Sequence, residues 1–262
     1  MFDYHMHSWV SFDSQEDPAN IILAAERMGL KEICFTDHID YFVNVDEQKW
    51  VFDQQVYSEN YDHLTHPTIK IRRGMEFGIK PDNVHQLAID AKKRDYDFIL
   101  GSVHFVKEID VYETRYWADR TVEFAEQEYL EETLKCVQHH SEYDVLGHLT
   151  YLSKSKAHPT NQLIKLAEHR DIVEEIFKVI ISKGKGIEVN PSGWDRCGDY
   201  LGRAMSFVSC TTDPDVFIVG GGMSRAGDVV TEPCLKYFRR YAFHVSTGTN
   251  LVVAKLGNDA GM

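Results

Sequence analysis

Two histidines one residue apart, His5 and His7, lie near the start of the chain, and Asp13 follows six positions after the second. In an extended strand alternate side chains lie on one face, so the two imidazoles can reach the same metal ion. Imidazole and carboxylate ligands suit Zn, Fe or Mn. The spacing therefore permits a metal site without establishing one.

Further polar residues follow short apolar runs that read as strands. His38 ends FTDH, Glu76 lies at the end of IKIRRGME, His104 follows GSV and His148 follows LG. Single histidines in such positions more often form hydrogen bonds than bind metal, so the inference depends on the whole set. Because the carboxyl ends of parallel strands lie on one side of a sheet, we expect these residues to converge there with the two histidines of the first strand.

Other polar residues are given ordinary or open roles. Asp37 is expected to support a neighbour or cap a turn. Three acids are expected in a solvated loop near the mouth of the site, with substrate contact left open: Glu108, Asp110 and Glu113. Spacing does not single out a phosphate contact among Arg72, Arg73, Arg115 and Lys154. The remaining histidines fall in predicted helices, loops or the tail: His63, His66, His85, His139, His140, His158, His169 and His244.

The elements that must position these residues alternate regularly. Helical periodicity covers 20–30, 82–95, 121–140 and 160–184, and a short apolar run follows each at 31–36, 97–102, 144–147 and 185–190. This alternation predicts an α/β protein with a parallel sheet. The number of repeated units favours a barrel.

Composition excludes several functional classes. The chain has 262 residues, 43% of them hydrophobic, and a formal net charge of −13, which disfavours nucleic acid and anionic membranes as partners. No apolar run approaches the ~20 residues that span a bilayer, and no leader pattern follows Met1. The five cysteines are scattered and never form C-x-x-C, so neither a disulfide framework nor a thiolate zinc site is indicated. We expect a cytoplasmic protein.

The motifs HMH, FTDH, GMEFG, GSVHFV and LGHLTYL, in this order, resemble the polymerase-and-histidinol-phosphatase (PHP) family, and most of all its stand-alone histidinol-phosphatase branch. The resemblance covers residue 2 to about residue 194. It implies a distorted (β/α)7 barrel that binds up to three divalent metal ions at its C-terminal mouth. The implied ligands are His5, His7 and Glu76 for the first ion, Glu76, His104 and His148 for the second, and Asp13 and His38 for the third.

The same resemblance implies an activity. A metal-bound water would hydrolyse L-histidinol phosphate, a small phosphate ester, without a protein nucleophile, supported by His38, Glu76 and His104. Within the family the alternatives are a polymerase-associated exonuclease or another small-molecule phosphoesterase, and the net charge disfavours a nucleic-acid substrate. Oligomeric state is not predicted.

The sequence departs from the PHP pattern near its end. The family's Asp and His in a G-S-D-A-H motif on the last strand are absent. Instead DYLGRAMSFVSCTTDPDVFIVGGGMSRAGDVV, YFRRYAF and LGNDAGM resemble the C-terminal part of ROK-family sugar kinases of the glucokinase type, over roughly 199–262. We therefore predict an incomplete PHP barrel at 1–194 and a ROK-like segment at 195–262.

The foreign segment leads to further expectations. A helix at 199–210 and a strand at 215–220 are expected to close the barrel and bring Gly221, Gly222 and Met223 to its mouth. Asp259 in LGNDAG is expected to mimic the missing acid only by accident. Two alternative functions remain: a metal-binding but catalytically impaired chimera, in which only Glu76, His104 and His148 form a complete site, and a remnant sugar kinase.

Overall fold

The computed structural model describes residues 2–41, 50–160, 164–188, 191–219, 228–242 and 248–253. The chain divides into two compact units, Met1–Glu188 and Val189–Met262. The division falls close to the boundary at 194 that the sequence motifs indicate. In the described part of the chain, no helix combines the length and the apolar character needed to cross a membrane.

The first unit contains nine strands, six α-helices and one 3₁₀-helix, Tyr151–Lys154, in the ranges described. The strands are β1 Phe2–Met6, β2 Glu32–Phe35, β3 His38–Ile39, β4 Lys70–Gly78, β5 Phe98–Ser102, β6 Phe105–Val106, β7 Ile109–Asp110, β8 Val145–Leu146 and β9 Gly186–Ile187. The helices are α1 Pro18–Arg27, α2 Gln54–Tyr61, α3 Val84–Asp90, α4 Thr114–Trp117, α5 Val122–His139 and α6 Arg170–Ser182.

Seven of these strands form one parallel sheet in the order β1-β2-β4-β5-β8-β9, with β3 also paired to β4. The short strands β6 and β7 form a separate antiparallel hairpin. The sheet curls into a half-barrel. The α/β fold with a parallel sheet, predicted from the alternation of helices and apolar runs, is confirmed. All carboxyl ends of the parallel strands therefore lie on one side.

Local sequence explains where several helices begin and end. Asp17 caps α1 by accepting a hydrogen bond from the Ala19 amide, with Pro18 at the first helical position. Thr121 caps α5 in the same way. The helix predicted for 160–184 is wrong in its first part, because residues 166–169 form turns and α6 begins only at Arg170. The helix predicted for 82–95 is also shorter, since turns follow Asp90.

The core of this unit explains how β4 positions a charged residue. Met75 and Phe77, on either side of Glu76, are completely buried, as are Ile33 and Phe35 on the neighbouring strand. Burial of these apolar side chains stabilises the sheet, and each contributes roughly 1.5–3 kcal/mol. Glu76 is also completely buried, so its carboxylate needs polar or cationic partners inside the protein.

The second unit has its own small core. It contains α7 Pro191–Thr212, β10 Val216–Val219, α8 Asp228–Tyr241 and β11 Asn250–Val253. Met205 on α7, Phe238 on α8 and Leu251 on β11 belong to one buried cluster. The helix and strand predicted at 199–210 and 215–220 therefore occur, although α7 is longer.

The prediction that the strand at 215–220 closes the barrel is wrong. β10 pairs in parallel with β11 in a separate two-stranded sheet. The physical reason is that β11, which follows α8, supplies a parallel partner within the same unit. Phe238 of α8 covers the pair by packing against Phe217 of β10. Gly221, Gly222, Met223 and Asp259 lie outside the described residues.

Two glycines one turn apart allow α7 and α8 to pack closely. A Cβ atom at Gly202 would lie 2.6 Å from the backbone nitrogen of Phe238, and one at Gly198 would collide with Pro233. We expect Gly202→Ala to lower the free energy of unfolding of this unit by about 1–3 kcal/mol, because overpacking outweighs alanine's better helix propensity. Hydrogen exchange of the α7 and α8 amides in the full chain measures this.

The variant Phe207→Ala, on the same helix, serves as the control for that measurement, since the Phe207 side chain is 75% exposed. Unchanged amide protection in Gly202→Ala would contradict the close-packing argument.

Candidate metal centre

Glu76 lies at the middle of a cluster of five histidines. Its Oε2 atom lies 3.1 Å from His5 Nε2, 3.1 Å from His7 Nε2 and 3.4 Å from His38 Nε2. Its Oε1 atom lies 3.3 Å from His104 Nε2 and 2.9 Å from His148 Nε2. The histidines that the sequence predicted at the strand ends are thus brought together, each with the same ring nitrogen facing one carboxylate.

Strand register explains this convergence. His38 on β3 lies directly opposite Glu76 on β4. His5 belongs to β1, while His104 and His148 follow β5 and β8 by two residues each. Residues more than 140 positions apart therefore meet because they share the carboxyl edge of one parallel sheet.

Four of the five imidazoles contact a second carboxylate through the opposite ring nitrogen, Nδ1. His5 Nδ1 lies 2.7 Å from Glu188, and His7 Nδ1 lies 2.9 Å from Asp13. An Nδ1–H bond to a carboxylate fixes the ring's orientation and tautomer and leaves Nε2 free to bind a metal ion. The centre therefore has the inner and outer layers of contacts that metal-binding histidines require.

Asp40 completes this outer layer, and the sequence analysis missed it. Its two oxygens contact two different histidines: Oδ2 lies 2.8 Å from His38 Nδ1, and Oδ1 lies 2.8 Å from His104 Nδ1. The side chain is almost completely buried. The signal was the spacing FTDHID, which places Asp40 two residues after His38 and so on the same face of an extended segment.

Glu188 is the second residue that the sequence analysis missed. It follows β9, and besides His5 it accepts a hydrogen bond of 2.7 Å from the backbone amide of His148. Glu188 thus connects the two end strands of the half-barrel, because β1 carries His5 and β9 lies at the opposite edge of the sheet. The signal was again an acid at the end of an apolar run, within KGIEVN.

The donor set fits divalent metal ions. Ligand atoms of three groups lie within 4.8 Å of one another: His5, Glu76 and His148; His7, His38 and Glu76; and His38, Asp40 and His104. The buried Nε2 atoms of His7 and His104 form no hydrogen bond of good geometry with any described residue. Buried imidazole nitrogens aimed at a carboxylate without such a bond are expected where cations bind between them.

The electrostatics of the cluster also favour cations. Burial opposes charge on His5, but the negative charges of Glu76 and Glu188 raise its pKa to about 10. Burial likewise disfavours charge on His104, yet Asp40 raises its pKa to about 9. Burial would raise the pKa of the Glu76 carboxyl, but the adjacent His38 and His5 charges hold it well below its usual range. A field that stabilises protons on imidazole also stabilises divalent cations.

Two further aspartates support the loop after β1. Asp13 contacts His7, as described above, and its carboxylate oxygen lies 3.5 Å from His38 Nε2. Asp37 accepts hydrogen bonds from the Ser8 amide and the Tyr61 hydroxyl, and it belongs to none of the three groups of candidate ligands. The expectation that Asp37 supports a neighbouring residue is confirmed.

A cavity of about 370 Å³ opens onto the cluster. Besides the candidate ligands it is lined by aromatic side chains, among them Phe12, Trp50, Tyr112 and Tyr151. Tyr151 packs against two of the histidine rings: its ring centroid lies 4.8 Å from that of His104 and 4.7 Å from that of His148. These aromatic residues were not predicted, because aromatic side chains between apolar runs read as ordinary core.

Of the four residues considered as phosphate contacts, one lines the cavity and three do not. Lys154 lines the cavity, whereas the three arginines are not among its lining residues. Arg72 and Arg73 lie in the first half of β4, away from its carboxyl end. Arg72 pairs with Glu32 and Asp97, and Arg73 pairs with Asp62. Arg115 pairs with Glu113. The phosphate contact considered for the three arginines is therefore wrong, because they pair with acids outside the cavity.

The acids of the predicted mouth loop also separate. Asp110 lines the cavity, but Glu108 pairs with Lys80 and Glu113 with Arg115. Of the histidines given ordinary roles, none that the structure describes lines this cavity. His169, for example, pairs with Glu126 on α5.

Comparison with known proteins gives two separate likenesses. The ROK family model matches residues 163–262, starting earlier than the motifs near 199 indicate. A glucokinase of Halalkalibacterium halodurans is 38% identical over 69 residues, which are 26% of this chain and 21% of that protein. The chain thus spans only about a fifth of the glucokinase.

The longer likeness covers the histidine cluster. The PHP domain model matches residues 3–192. A histidinol-phosphatase of Lactococcus lactis is 35% identical over 198 residues, covering 74% of this chain and 72% of the relative. A probable histidinol-phosphatase of Thermotoga maritima is 26% identical over 88% of this chain and 82% of the relative.

Solved structures give the same result. The crystal structure of the Lactococcus lactis histidinol phosphate phosphatase, complexed with Zn, L-histidinol and phosphate, has a TM-score of 0.69 and 27% identity, covering 98% of this chain and 85% of that one. A Listeria monocytogenes structure with a TM-score of 0.60 and 12% identity shares the fold. With its histidine cluster at the strand ends and a family match over most of its length, the chain belongs to the PHP domain family.

Proposed function

We propose that this chain is a metal-dependent phosphomonoesterase that hydrolyses L-histidinol phosphate to L-histidinol and phosphate. The observation that carries the proposal is the set of five imidazoles gathered around the buried carboxylate of Glu76. The Lactococcus lactis relative, whose structure holds Zn, L-histidinol and phosphate, supports the choice of substrate and metal.

We propose that the metal ligands are His5, His7, Asp13, His38, Glu76, His104 and His148. The two oxygens of Glu76 support its role as a bridge, since one faces His5 and His7 and the other faces His104 and His148. Divalent ions bound there would neutralise the phosphate and lower the pKa of a coordinated water towards neutrality. Hydrolysis by such a metal-bound water, without a protein nucleophile, is part of the proposal.

Other residues around the cavity orient the metal ligands, exclude water and bind the phosphate. Asp40 and Glu188 hold the imidazoles in the orientation that directs Nε2 towards the ions. The aromatic walls reduce the water content of the cavity, which strengthens the electrostatic attraction between its charges and the phosphate. Lys154 supplies a cation at the rim for the phosphoryl oxygens.

We propose that residues 1–194 form the catalytic domain and that residues 195–262 form a ROK-like segment outside it. A second candidate function remains, a metal-binding but impaired enzyme, because the family's last Asp and His ligands are absent from the sequence. Losing a ligand from each of two sites lowers affinity and displaces the ions. We also propose a cytoplasmic location, since the free thiols of Cys34 and Cys136 are typical of a reducing compartment.

Phosphate release from L-histidinol phosphate tests the proposal. The full chain is assayed after loading with Mn²⁺ or Zn²⁺, beside His104→Ala, and metal content is measured on the same samples. We expect release well above that of the variant, with more than one ion bound per chain. Equal release in both proteins would refute the phosphatase assignment, and one ion per chain without release would favour the impaired enzyme.

Replacement of Lys154 by methionine tests its contact with phosphate. We expect kcat/KM to fall about 10- to 100-fold, mainly through KM, because a hydrogen bond to a charged group contributes about 1.5–3 kcal/mol. Arg115→Met is the matched control, since it removes a cation that pairs with Glu113 and does not line the cavity. Equal losses in the two variants would show that the effect is general electrostatics and not a contact.

A further inference from the structure

One carboxylate in the cavity forms no ion pair and contacts no histidine ring among the described residues, although the charge of His104 acts on it from a greater distance. Four acids line the cavity: Asp13, Asp40, Glu76 and Asp110. The first three each contact histidine rings. Asp110 instead has a single side-chain hydrogen bond, accepted at 2.8 Å by Oδ1 from the backbone amide of Tyr112.

The backbone holds Asp110 in a fixed position relative to the histidine cluster. It ends β7, directly opposite Phe105 in the β6–β7 hairpin, and this hairpin begins immediately after His104. The Val111 amide donates a hydrogen bond of 3.1 Å to the His104 carbonyl, and the Glu113 amide donates one to the Asp110 carbonyl. The backbone on either side of Asp110 is therefore held against His104 and Phe105.

The surroundings of Asp110 suit a cationic ligand group. The carboxylate is half-buried, and burial raises its pKa because its negative charge is only partly solvated; the Tyr112 amide and the charge of His104 offset only part of this effect. A cation beside it would recover that lost solvation. The rings of Tyr112 and Tyr151, with centroids 6.2 Å apart, line the same cavity.

The proposed substrate carries three groups of different chemistry: a phosphate, a primary amine that is largely protonated near neutral pH, and an imidazole ring. The phosphate belongs at the histidine cluster with its ions and at Lys154. The amine then needs an anion that is not already paired directly with an imidazole. Among the lining acids, Asp110 meets that requirement.

We propose that Asp110 is a specificity-determining residue that binds the ammonium group of the substrate. This inference rests on the proposed function, and it goes further by stating how the enzyme selects an amino-alcohol phosphate over a phosphate ester that lacks the amine. Asp110 binds substrate and holds none of the ions.

The test compares two substrates and three proteins. Phosphate release is measured for L-histidinol phosphate and for 3-(imidazol-4-yl)propyl phosphate, which lacks only the amine. The proteins are the metal-loaded full chain, Asp110→Asn, and the matched control Glu113→Gln, which removes an acid three positions away that pairs with Arg115. Metal content is measured for each protein.

We expect Asp110→Asn to lower kcat/KM for L-histidinol phosphate about 10- to 100-fold while leaving the amine-free ester and the metal content unchanged. Glu113→Gln should leave both substrates unaffected. Equal losses on the two substrates, or no loss on L-histidinol phosphate, would overturn the inference.

A binding measurement separates this inference from the proposed function. If the unmutated chain releases no phosphate from either ester, the proposed function fails, and calorimetric titration with L-histidinol and with 3-(imidazol-4-yl)propan-1-ol decides the role of Asp110. Tighter binding of L-histidinol that Asp110→Asn abolishes would support the inference. Equal binding of the two alcohols, or no binding of L-histidinol, would overturn it.

Discussion

Replacement of Glu76 by glutamine is expected to reduce phosphate release at least about 1,000-fold, equivalent to about 4 kcal/mol of transition-state stabilisation. The reason is the position of this one carboxylate, whose two oxygens face five imidazole nitrogens within 3.4 Å. Glutamine keeps the shape of the side chain but removes the negative charge and one of the two acceptor oxygens. Ions held by the two groups of imidazoles would then lose the ligand that we propose they share.

Metal content should fall together with activity in Glu76→Gln, since a buried amide would not offset the repulsion between cations bound on either side of it. Elemental analysis after dialysis against a fixed Zn²⁺ concentration measures this. Glu126→Gln is the matched control, because Glu126 is also a buried glutamate that contacts a histidine, His169, but lies on α5 outside the cavity. Full metal content in Glu76→Gln would rule out a bridging role for Glu76.

The site could be predicted from the sequence wherever a polar residue ends an apolar run. That rule found His38, Glu76, His104 and His148 because parallel strands deliver their carboxyl ends to one edge, whatever the sequence separation. It would also have found Glu188 had the acid in KGIEVN been treated as strand-terminal. Asp40 is harder to predict, because β3 is only two residues long and gives almost no apolar pattern.

Other features depend on tertiary choices that local patterns do not encode. The run DVFIVG reads equally well as the last strand of a barrel or as a strand of a separate sheet. The structure pairs it with β11, which lies more than 30 residues later. The N-terminal end of α6 is a second example. Apolar periodicity at helical spacing extends back before Arg170, but residues 166–169 form turns. Packing overrides local propensity in both cases.

Asp40→Asn is expected to weaken metal binding about 10- to 100-fold and to lower kcat by a comparable factor. Asp40 accepts from two imidazoles at once, His38 and His104, through different oxygens at 2.8 Å. Asparagine has one acceptor oxygen and one donor NH₂ in the same positions. One of the two rings must then accept at Nδ1 and carry its proton on Nε2, so that its Nε2 no longer binds a metal ion.

The surroundings of Asp40 leave little room for it to adjust. A Cβ atom at Gly78 would collide with the Asp40 carboxylate, so the side chain fits closely against the backbone of β4. The amide group of asparagine therefore has to occupy the carboxylate's position, and the tautomer change cannot be avoided by a shift of the side chain. Nitrogen-15 NMR of labelled histidine side chains in the full chain detects that change directly, independently of activity.

Asp90→Asn separates the tautomer effect from the general cost of losing a buried acid. Asp90 is completely buried at the end of α3 and pairs with Lys93, and it forms no ion pair with a histidine among the described residues. We expect this control to keep the metal affinity and histidine spectrum of the original protein. In Asp40→Asn the NMR signal of one ring should change to that of the Nε2-protonated tautomer. If both rings keep their Nδ1–H signals and metal affinity is unchanged, Asp40 does not set the orientation of the ligands. If metal affinity falls while both tautomers persist, Asp40 acts through its charge, because the loss of an anion beside two cation-binding rings weakens binding without rotating either of them.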